Sequence, residues 1–170
     1  MTEPRKQVEP LAPHHDRGAF SCGVPSLDRY LRQQARQDAE RRVAAVFVLV
    51  GDLANQIAGY YTLSATGVLL TDLPPEFAKR LPRYPLVPAI LLGRLAVDKR
   101  FRARRYGELL LLDALDRSFR SSKEIAAAGI VVDAKDLDAR SFYERYGFAR
   151  LAPSGFRLFL PIKTVETLLR

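Results

Sequence analysis

Residues 88–117 constrain the fold of this chain more than any other stretch. They begin with an apolar run at 89–97, which is long enough for one buried strand and too short to cross a membrane. A basic loop at 99–105 follows, and leucines then recur at spacings of three and four, the pattern of a helix with one apolar face. A strand, a basic turn and a helix start in this order aim free backbone N–H groups and the positive end of a helix dipole at one point. The stretch therefore predicts a phosphate-binding turn.

Positive charge is concentrated in the same part of the chain. The 170 residues carry a net charge of +8, and between Lys79 and Arg120 eleven lysines and arginines stand against four acids. A bound nucleotide needs only a few of these cations, so the surplus favours a larger polyanion such as RNA. The alternative is a solvated basic face that binds no partner.

The length of the chain suits one domain over residues 1–170, and 48% of its residues are apolar, which is enough for a core. The single cysteine, Cys22, excludes an internal disulfide bond, and the N-terminus carries no apolar signal segment. His14 and His15 are adjacent, and no third ligand is spaced to complete a metal site, so we expect no metal. These features favour a cytoplasmic protein without a membrane span.

The other elements are predicted from apolar patterning and from turn residues. Five prolines between residues 71 and 88 exclude a long helix there. In chain order, the predicted elements are an edge strand at 8–11, a helix with Ser26 as its N-cap, a hairpin of strands at 43–50 and 57–64, a short helix at 75–81, a strand at 129–134, a helix at 138–145 that ends before Gly147, a strand pair at 148–151 and 157–162, and a last helical turn at 164–169.

The basic loop resembles the acyl-CoA-binding segment of the GNAT N-acetyltransferases. The order L-x-V-D-x-x-F-R-x-x-R-x-G, with a strand before it and a helix after it, is similar to that segment. The pyrophosphate loop of the family reads Q/R-x-x-G-x-G/A, and this chain has Arg102, Arg105 and Gly107 at the three defined positions. Glycine is expected at the position of Arg105. If that position requires a left-handed backbone, arginine costs roughly 1–2 kcal/mol there, which its guanidinium offsets in part by pairing with phosphate.

Two further stretches carry the resemblance beyond the loop. Residues 136–148 resemble the GNAT signature N-x-x-A-x-x-F-Y-x-x-x-G-F, with Asp136 in place of the usual asparagine. The pattern F-x-C-G-x-x-x-L-D-x-Y-L at residues 20–31 is similar to the N-terminus of one branch of the family, the toxins of bacterial toxin–antitoxin pairs. Together the three stretches extend the resemblance over nearly the whole chain.

The resemblance implies an α/β GNAT fold, with a mixed, mostly antiparallel central sheet flanked by helices, and acetyl-CoA as cosubstrate. It gives the catalytic role to Tyr143, whose hydroxyl would lie beside the sulfur of CoA. The backbone N–H groups of Leu95, Ala96 and Val97 would donate hydrogen bonds to the thioester carbonyl, as in an oxyanion hole. The remaining residues that it implies for cofactor binding are Arg102, Ala103, Arg104, Arg105, Tyr106, Gly107, Glu108 and Phe142.

The chemistry of the residues limits the substrate. A thiol titrates near 8.5 and tyrosine near 10, so complete proton transfer from Tyr143 to the leaving thiolate is uphill by about 1.5 pKa units, and we expect hydrogen bonding instead. No glutamate or histidine lies on the central strand to act as a base. An α-amine titrates near 7.7–8.0 and is on the order of a tenth neutral at pH 7, whereas a lysine amine near 10.4 needs far more help. The missing base therefore favours an α-amine substrate.

The toxin-like N-terminus implies a specific activity, which is acetylation of the amino acid esterified to tRNA and a block of translation. It also implies a homodimer that a ribbon-helix-helix antitoxin neutralises. Two alternatives remain open: a GNAT enzyme acting on a small amine or a protein N-terminus, and a non-catalytic binding module that kept the fold. Under the tRNA hypothesis the phosphate contacts are Arg32, Arg36, Lys79, Arg80, Arg83 and Arg94.

Overall fold

The computed structural model describes residues 6–170, which contain both strands and helices. The strands are β1 (Val8–Pro10), β2 (Ala45–Val50), β3 (Ile57–Leu69), β4 (Leu86–Val97), β5 (Gly129–Asp133), β6 (Ala149–Arg150) and β7 (Arg157–Pro161). The helices are α1 (Pro25–Arg29), α2 (Ala35–Glu40), α3 (Pro75–Ala78), α4 (Tyr106–Ser121), α5 (Leu137–Glu144) and α6 (Ile162–Leu168), and a π-helical turn at Tyr30–Gln34 joins α1 to α2.

The strands of the described chain form one sheet in the order β1-β2-β3-β4-β5-β7-β6. The pairs β1–β2, β2–β3, β5–β7 and β6–β7 are antiparallel, whereas β4 and β5 are parallel and pair Ile90–Leu92 with Ile130–Val132. A parallel pair needs a long crossover, which the chain between β4 and β5 provides through α4. The mixed, mostly antiparallel sheet with flanking helices confirms the predicted fold class.

The chain groups into two compact units. The first unit comprises Met1–Ser64 and Arg94–Ala114, and the second comprises Ala65–Gly93 and Leu115–Arg170. The prediction of one domain over residues 1–170 stays a prediction. Among the described helices, none has the length and the hydropathy that a bilayer span requires.

The core of the first unit lies between β2, β3 and the α1–α2 helix. Leu31 and Ala35 are four residues apart, so they share one helix face, and both are fully buried against Val46 and Val48 of β2. The helix starts differently from the prediction. It begins at Pro25, and no side chain caps it. The fixed φ of proline suits the first helical position, so the Ser26 cap that we predicted is not needed.

The core of the second unit is built on β5. Consecutive residues of this strand are buried although they point to opposite faces of the sheet, so the strand reads as an unbroken apolar run. Val131 of β5 is fully buried and packs with Phe159 of β7 and Ala89 of β4. After β5, the carboxylate of Asp136 caps α5 by accepting a hydrogen bond from the Ala139 N–H at 2.8 Å. Aspartate and asparagine are equivalent N-caps, so the departure from the family signature at this position has no structural cost.

Several predicted boundaries were wrong by a few residues, and one was wrong by a longer stretch. Strand β3 was expected to end at residue 64 but continues to Leu69. Residues 64–67 are Ser, Ala, Thr and Gly, which show no hydrophobic alternation, so the sequence pattern does not reveal that the strand continues. The turn after α5 is as predicted, because Gly147 has a φ of +96°, the left-handed conformation of a helix C′ glycine.

Candidate active site

A buried carboxylate marks the point where β4 ends and the basic loop begins. Asp98 is only 1% exposed. Its oxygens accept hydrogen bonds from the Ser21 N–H at 3.0 Å, the Arg100 N–H at 2.8 Å, and the Arg100 guanidinium at 2.9 and 3.0 Å. Burial alone would raise the pKa of Asp98, but the hydrogen bonds from Arg100 and from the backbone N–H groups lower it. The ionised carboxylate therefore fixes the start of the loop.

The backbone of the loop forms a cradle for an anion. Ala103 and Arg105 have φ values of 64° and 60°, whereas Arg104 between them does not have a positive φ. Left-handed residues in a loop can turn successive N–H groups toward one concave side, as in an anion-binding nest. Within the described residues 6–170, no group accepts a hydrogen bond from the N–H groups of residues 103–108. The cradle thus fits a diphosphate, which needs several converging donors.

Two buried aromatic residues, Phe101 and Tyr106, anchor the basic loop. Phe101 is 2% and Tyr106 8% exposed, and their rings lie 5.9 Å apart and nearly parallel. The Arg104 guanidinium lies over the Phe101 ring at 5.1 Å and has the Asp52 carboxylate 3.8 Å away. Arg102, at the start of the cradle, is exposed. The sequence-predicted loop residues therefore form one continuous basic cradle in the first unit.

Arg105 takes the left-handed conformation that glycine would adopt without strain. The side chain is 87% exposed, and its Nε lies 3.5 Å from the Glu108 carboxylate one turn into α4. A left-handed arginine costs about 1–2 kcal/mol. The loop therefore adopts at Arg105 a conformation that favours glycine, and it carries strain at this residue.

The strand residues Leu95, Ala96 and Val97 lie beyond the segment of β4 that has a parallel partner. That pairing covers Ile90–Leu92. Gly59 of β3 lies against Ala96, and a Cβ at residue 59 would lie 2.9 Å from the Ala96 carbonyl oxygen. The backbone of the predicted carbonyl-binding residues is thus held from the β3 side.

Helix α5 of the second unit carries a buried phenol. Tyr143 is 7% exposed, and burial raises its pKa to about 12. Its ring packs edge-on against Phe142 at 5.3 Å and Phe148 at 5.5 Å. No group in the described part of the chain hydrogen-bonds its hydroxyl. The hydroxyl is not among the buried polar atoms that lack a partner, so it reaches solvent and is accessible to a ligand.

The six cations predicted to bind tRNA have different environments. Arg32 donates a hydrogen bond to the Phe20 carbonyl at 2.8 Å, and Arg94 is half-buried with its guanidinium 3.5 Å from the Tyr30 ring centroid. Arg36 and Lys79 are exposed and pair with neighbouring glutamates at 2.9 and 3.6 Å. Arg80 and Arg83 are exposed. Arg32, Arg36 and Arg94 belong to the first unit, and Lys79, Arg80 and Arg83 to the second.

The expectation that the two histidines lack a third polar neighbour was wrong. Glu9 joins His14 and His15 so that one ligand-type atom of each lies within 4.8 Å of the others. However, Nδ1 of His15 accepts a hydrogen bond from the Ala12 N–H at 2.9 Å, so Nε2 carries the proton and donates it to Glu9 at 2.7 Å. A protonated nitrogen cannot bind a metal ion, and we interpret the cluster as an anchor for β1.

Sequence reasoning missed Asp98 and did not assign a role to the F-x-C-G stretch. The one local signal for Asp98 was a carboxylate directly after an apolar strand and before a run of cations. Its link to Ser21 spans 77 residues and leaves no local trace.

Residues 43–150 match the family model described as an acetyltransferase (GNAT) domain. The chain belongs to the GNAT acetyltransferase family, whose cosubstrate is acetyl-CoA. It is similar to the probable toxin TacT of Sinorhizobium fredii, with 30% identity over 173 residues that cover 97% of this chain and 96% of TacT. It is also similar to the tRNA-acetylating toxin of Mycobacterium tuberculosis, with 34% identity over 151 residues that cover 89% of each chain.

Solved structures show the same fold. A crystal structure of a tyrosine-to-phenylalanine mutant of KacT aligns with a TM-score of 0.91 and 30% identity, over 97% of this chain and 99% of KacT. AtaT complexed with acetyl-methionyl-tRNAfMet aligns with a TM-score of 0.89 and 26% identity, over 97% and 99% of the two chains. AtaTR bound with acetyl-CoA aligns with a TM-score of 0.85 and 26% identity, over 97% and 98%.

Replacing Arg105 with glycine is expected to raise the free energy of unfolding by about 1 kcal/mol and to tighten acetyl-CoA binding up to about tenfold. The reason is that glycine adopts the left-handed conformation without strain and lets phosphate approach the backbone. Calorimetric titration with acetyl-CoA and thermal unfolding measure the two effects.

Arg42 is the matched control, because its φ of 58° is nearly the same as the 60° of Arg105. Arg42→Gly should stabilise the fold similarly and leave the Kd of acetyl-CoA unchanged. Unchanged or weaker binding by Arg105→Gly would mean that the arginine is itself a phosphate ligand.

Proposed function

We propose that this protein is a toxin that transfers the acetyl group of acetyl-CoA to the α-amino group of aminoacyl-tRNA and thereby blocks translation. The observation that carries the proposal is the cradle of unpaired N–H groups at residues 103–108, at the start of α4. The choice of substrate is supported by the relatives, one of which is named a tRNA-acetylating toxin and another of which was solved with acetyl-methionyl-tRNAfMet.

The residues of the first unit would hold the cosubstrate. The N–H groups of residues 103–108 and the Arg102 guanidinium provide charge and donors for its diphosphate. The backbone of Leu95, Ala96 and Val97 would bind the acetyl-bearing arm and donate to the thioester carbonyl as negative charge develops there. Acetyl-CoA supplies the activated acetyl group itself.

Tyr143 would stabilise the leaving thiolate by donating a hydrogen bond to the sulfur. A pKa of about 12 lies about 3.5 units above that of an ordinary thiol, so full proton transfer to a thiolate costs about 5 kcal/mol. This is a larger barrier to transfer than an unperturbed tyrosine would present. The phenol therefore keeps its proton and acts as a hydrogen-bond donor.

The acceptor amine must arrive neutral, because β4 carries neither glutamate nor histidine. An α-amino group meets this requirement at neutral pH far better than a lysine side chain. The six exposed or half-buried cations Arg32, Arg36, Lys79, Arg80, Arg83 and Arg94 are proposed to contact the tRNA phosphates.

We extend the proposal to the partners that the family branch implies. The protein would be a cytoplasmic homodimer that a ribbon-helix-helix antitoxin neutralises. A KacTA–DNA complex, 27% identical to this chain with a TM-score of 0.80, supports such an assembly. Light scattering of the purified protein, alone and with the product of a neighbouring short reading frame, tests the dimer and the complex.

Incubation with acetyl-CoA and a pool of charged tRNAs, followed by mass analysis of the released amino acids, tests the activity. Wild-type protein should yield N-acetylated amino acids. Tyr143→Phe should lower kcat by about a hundredfold while the Kd of acetyl-CoA stays within about threefold, because the lost hydrogen bond forms only as the thiolate develops.

Tyr146→Phe removes a phenol from the same end of α5 and should retain activity. Acetylation of free polyamines or protein N-termini, but not of charged tRNA, would select the rival enzyme. Failure of wild-type protein to bind acetyl-CoA would select the non-catalytic module.

The pH profile follows from the raised pKa of Tyr143. The kcat/KM for aminoacyl-tRNA should rise with pH until the amine is neutral, near pH 8. It should then stay level to about pH 10, because the protonated phenol is the active form and its pKa is about 12. Initial rates corrected for spontaneous deacylation measure the profile. An alkaline decline centred near pH 9 in the wild type that is absent in Tyr143→Phe would contradict the assignment.

Salt dependence of tRNA binding tests the proposed phosphate contacts. Replacing Lys79, Arg80 and Arg83 together with alanine should reduce the slope of log K against log[salt] by about two to three, since each phosphate contact contributes about 0.7–0.9. Replacing Lys123, Lys163 and Arg170 removes the same charge elsewhere and should change the slope by less than about one. Equal effects of the two triple variants would mean that binding reflects net charge alone.

A further inference from the structure

We infer that residues 20–23, here called the brace, are part of the cofactor site: they hold the basic loop in its anion-binding conformation. The brace reads Phe-Ser-Cys-Gly and belongs to the N-terminal stretch whose function the mechanism does not explain. The inference rests on the proposed function, because it assumes that the loop binds acetyl-CoA. The brace residues act as positioning residues and do not take part in the chemistry.

Backbone hydrogen bonds join the brace to the start of the loop. The Ser21 N–H donates to the buried carboxylate of Asp98 at 3.0 Å, and the Ser21 carbonyl accepts from the Lys99 N–H at 2.9 Å. The same carboxylate accepts from the Arg100 N–H at 2.8 Å. One residue of the brace is thus bonded through both backbone groups to the two residues at the strand end.

Gly23 lies next to the side chain of Arg102, the residue at the start of the cradle. Its φ is +90°, and a Cβ on it would lie 3.1 Å from Nη2 of Arg102 and 3.8 Å from Cδ of Lys99. A Cβ there would be closer to the guanidinium than an ordinary van der Waals contact, so Arg102 would have to shift by a few tenths of an ångström. A larger residue would be strained by its own backbone and would also displace Arg102.

The brace is itself fixed in the core, so it can resist movement of the loop. Phe20 is fully buried and packs edge-on against Tyr60, with ring centroids 5.4 Å apart. Arg32 donates to the Phe20 carbonyl at 2.8 Å, and the Cys22 N–H donates to Asp28 at 2.8 Å. Three of the four brace residues are therefore held by hydrogen bonds to their backbone.

The loop needs such support because its conformation is strained. Ala103 and Arg105 both have positive φ without being glycine. Strained backbone persists only where the surrounding structure over-determines it. A loop released at Arg102 would relax toward ordinary φ values, and the N–H groups would no longer converge on one anion.

A double-mutant cycle between residues 23 and 102 tests the inference. Acetyl-CoA titration should show that Gly23→Ala raises the Kd about tenfold, the effect of misplacing one charge-assisted contact. The kcat at saturating acetyl-CoA should stay within about twofold. In an Arg102→Ala background, the same Gly23→Ala change should alter the Kd by less than about threefold, because the side chain that it displaces is gone.

Gly18→Ala is the matched control outside the brace, because a Cβ there would make only an ordinary contact, 3.6 Å from the Asp16 carboxylate, and it should leave the Kd unchanged. If Gly23→Ala does not fold, Asp98→Asn replaces it, because the amide keeps the shape of the carboxylate but loses one acceptor oxygen, and it should raise the Kd similarly. Equal effects of Gly23→Ala in both backgrounds, or no effect in either, would overturn the positioning role while wild-type binding upholds the proposed function. A wild-type protein that does not bind acetyl-CoA would overturn both.

Discussion

The candidate site depends on one buried carboxylate. An unpaired charge as deeply buried as Asp98 would be strongly destabilising, and here four N–H groups from two residues surround it. One of the two, Ser21, is distant in sequence, and the other, Arg100, is two residues away. The group that terminates β4 therefore also connects the N-terminal segment to the loop. Loss of its charge would loosen the strand end and the loop together.

The loop shows that backbone shape and sequence motif are separable. The family motif uses glycine to reach a left-handed conformation, and this chain reaches the same region with Ala103 and Arg105. The strain is borne by a surface loop anchored through Phe101 and Tyr106, whose rings are buried. Left-handed residues in such a loop can direct N–H groups to one side, so the proposed anion site does not require the glycine that the motif defines at residue 105.

The chemistry of the site depends on what is absent as well as on what is present. A phenol with a pKa of about 12 stays protonated over the whole physiological range, so in the proposed mechanism its protonation would not limit the reaction. Without glutamate or histidine on β4, the proposed mechanism relies on the substrate to supply a neutral amine. That requirement would make the pKa of the acceptor amine a determinant of specificity, and it would disfavour lysine side chains on energetic grounds rather than by shape.

The sequence by itself determined three features: the strand, loop and helix from β4 to α4, the C′ role of Gly147, and the family. These features depend on periodicity and motif spacing among residues that are close together in the chain. The second half of β3, the uncapped start of α1 and the Glu9–His15 pair came only from the tertiary structure. The contact between Asp98 and Ser21 joins residues 77 positions apart. Such contacts depend on how distant segments pack, and no local pattern of apolar or turn residues encodes them.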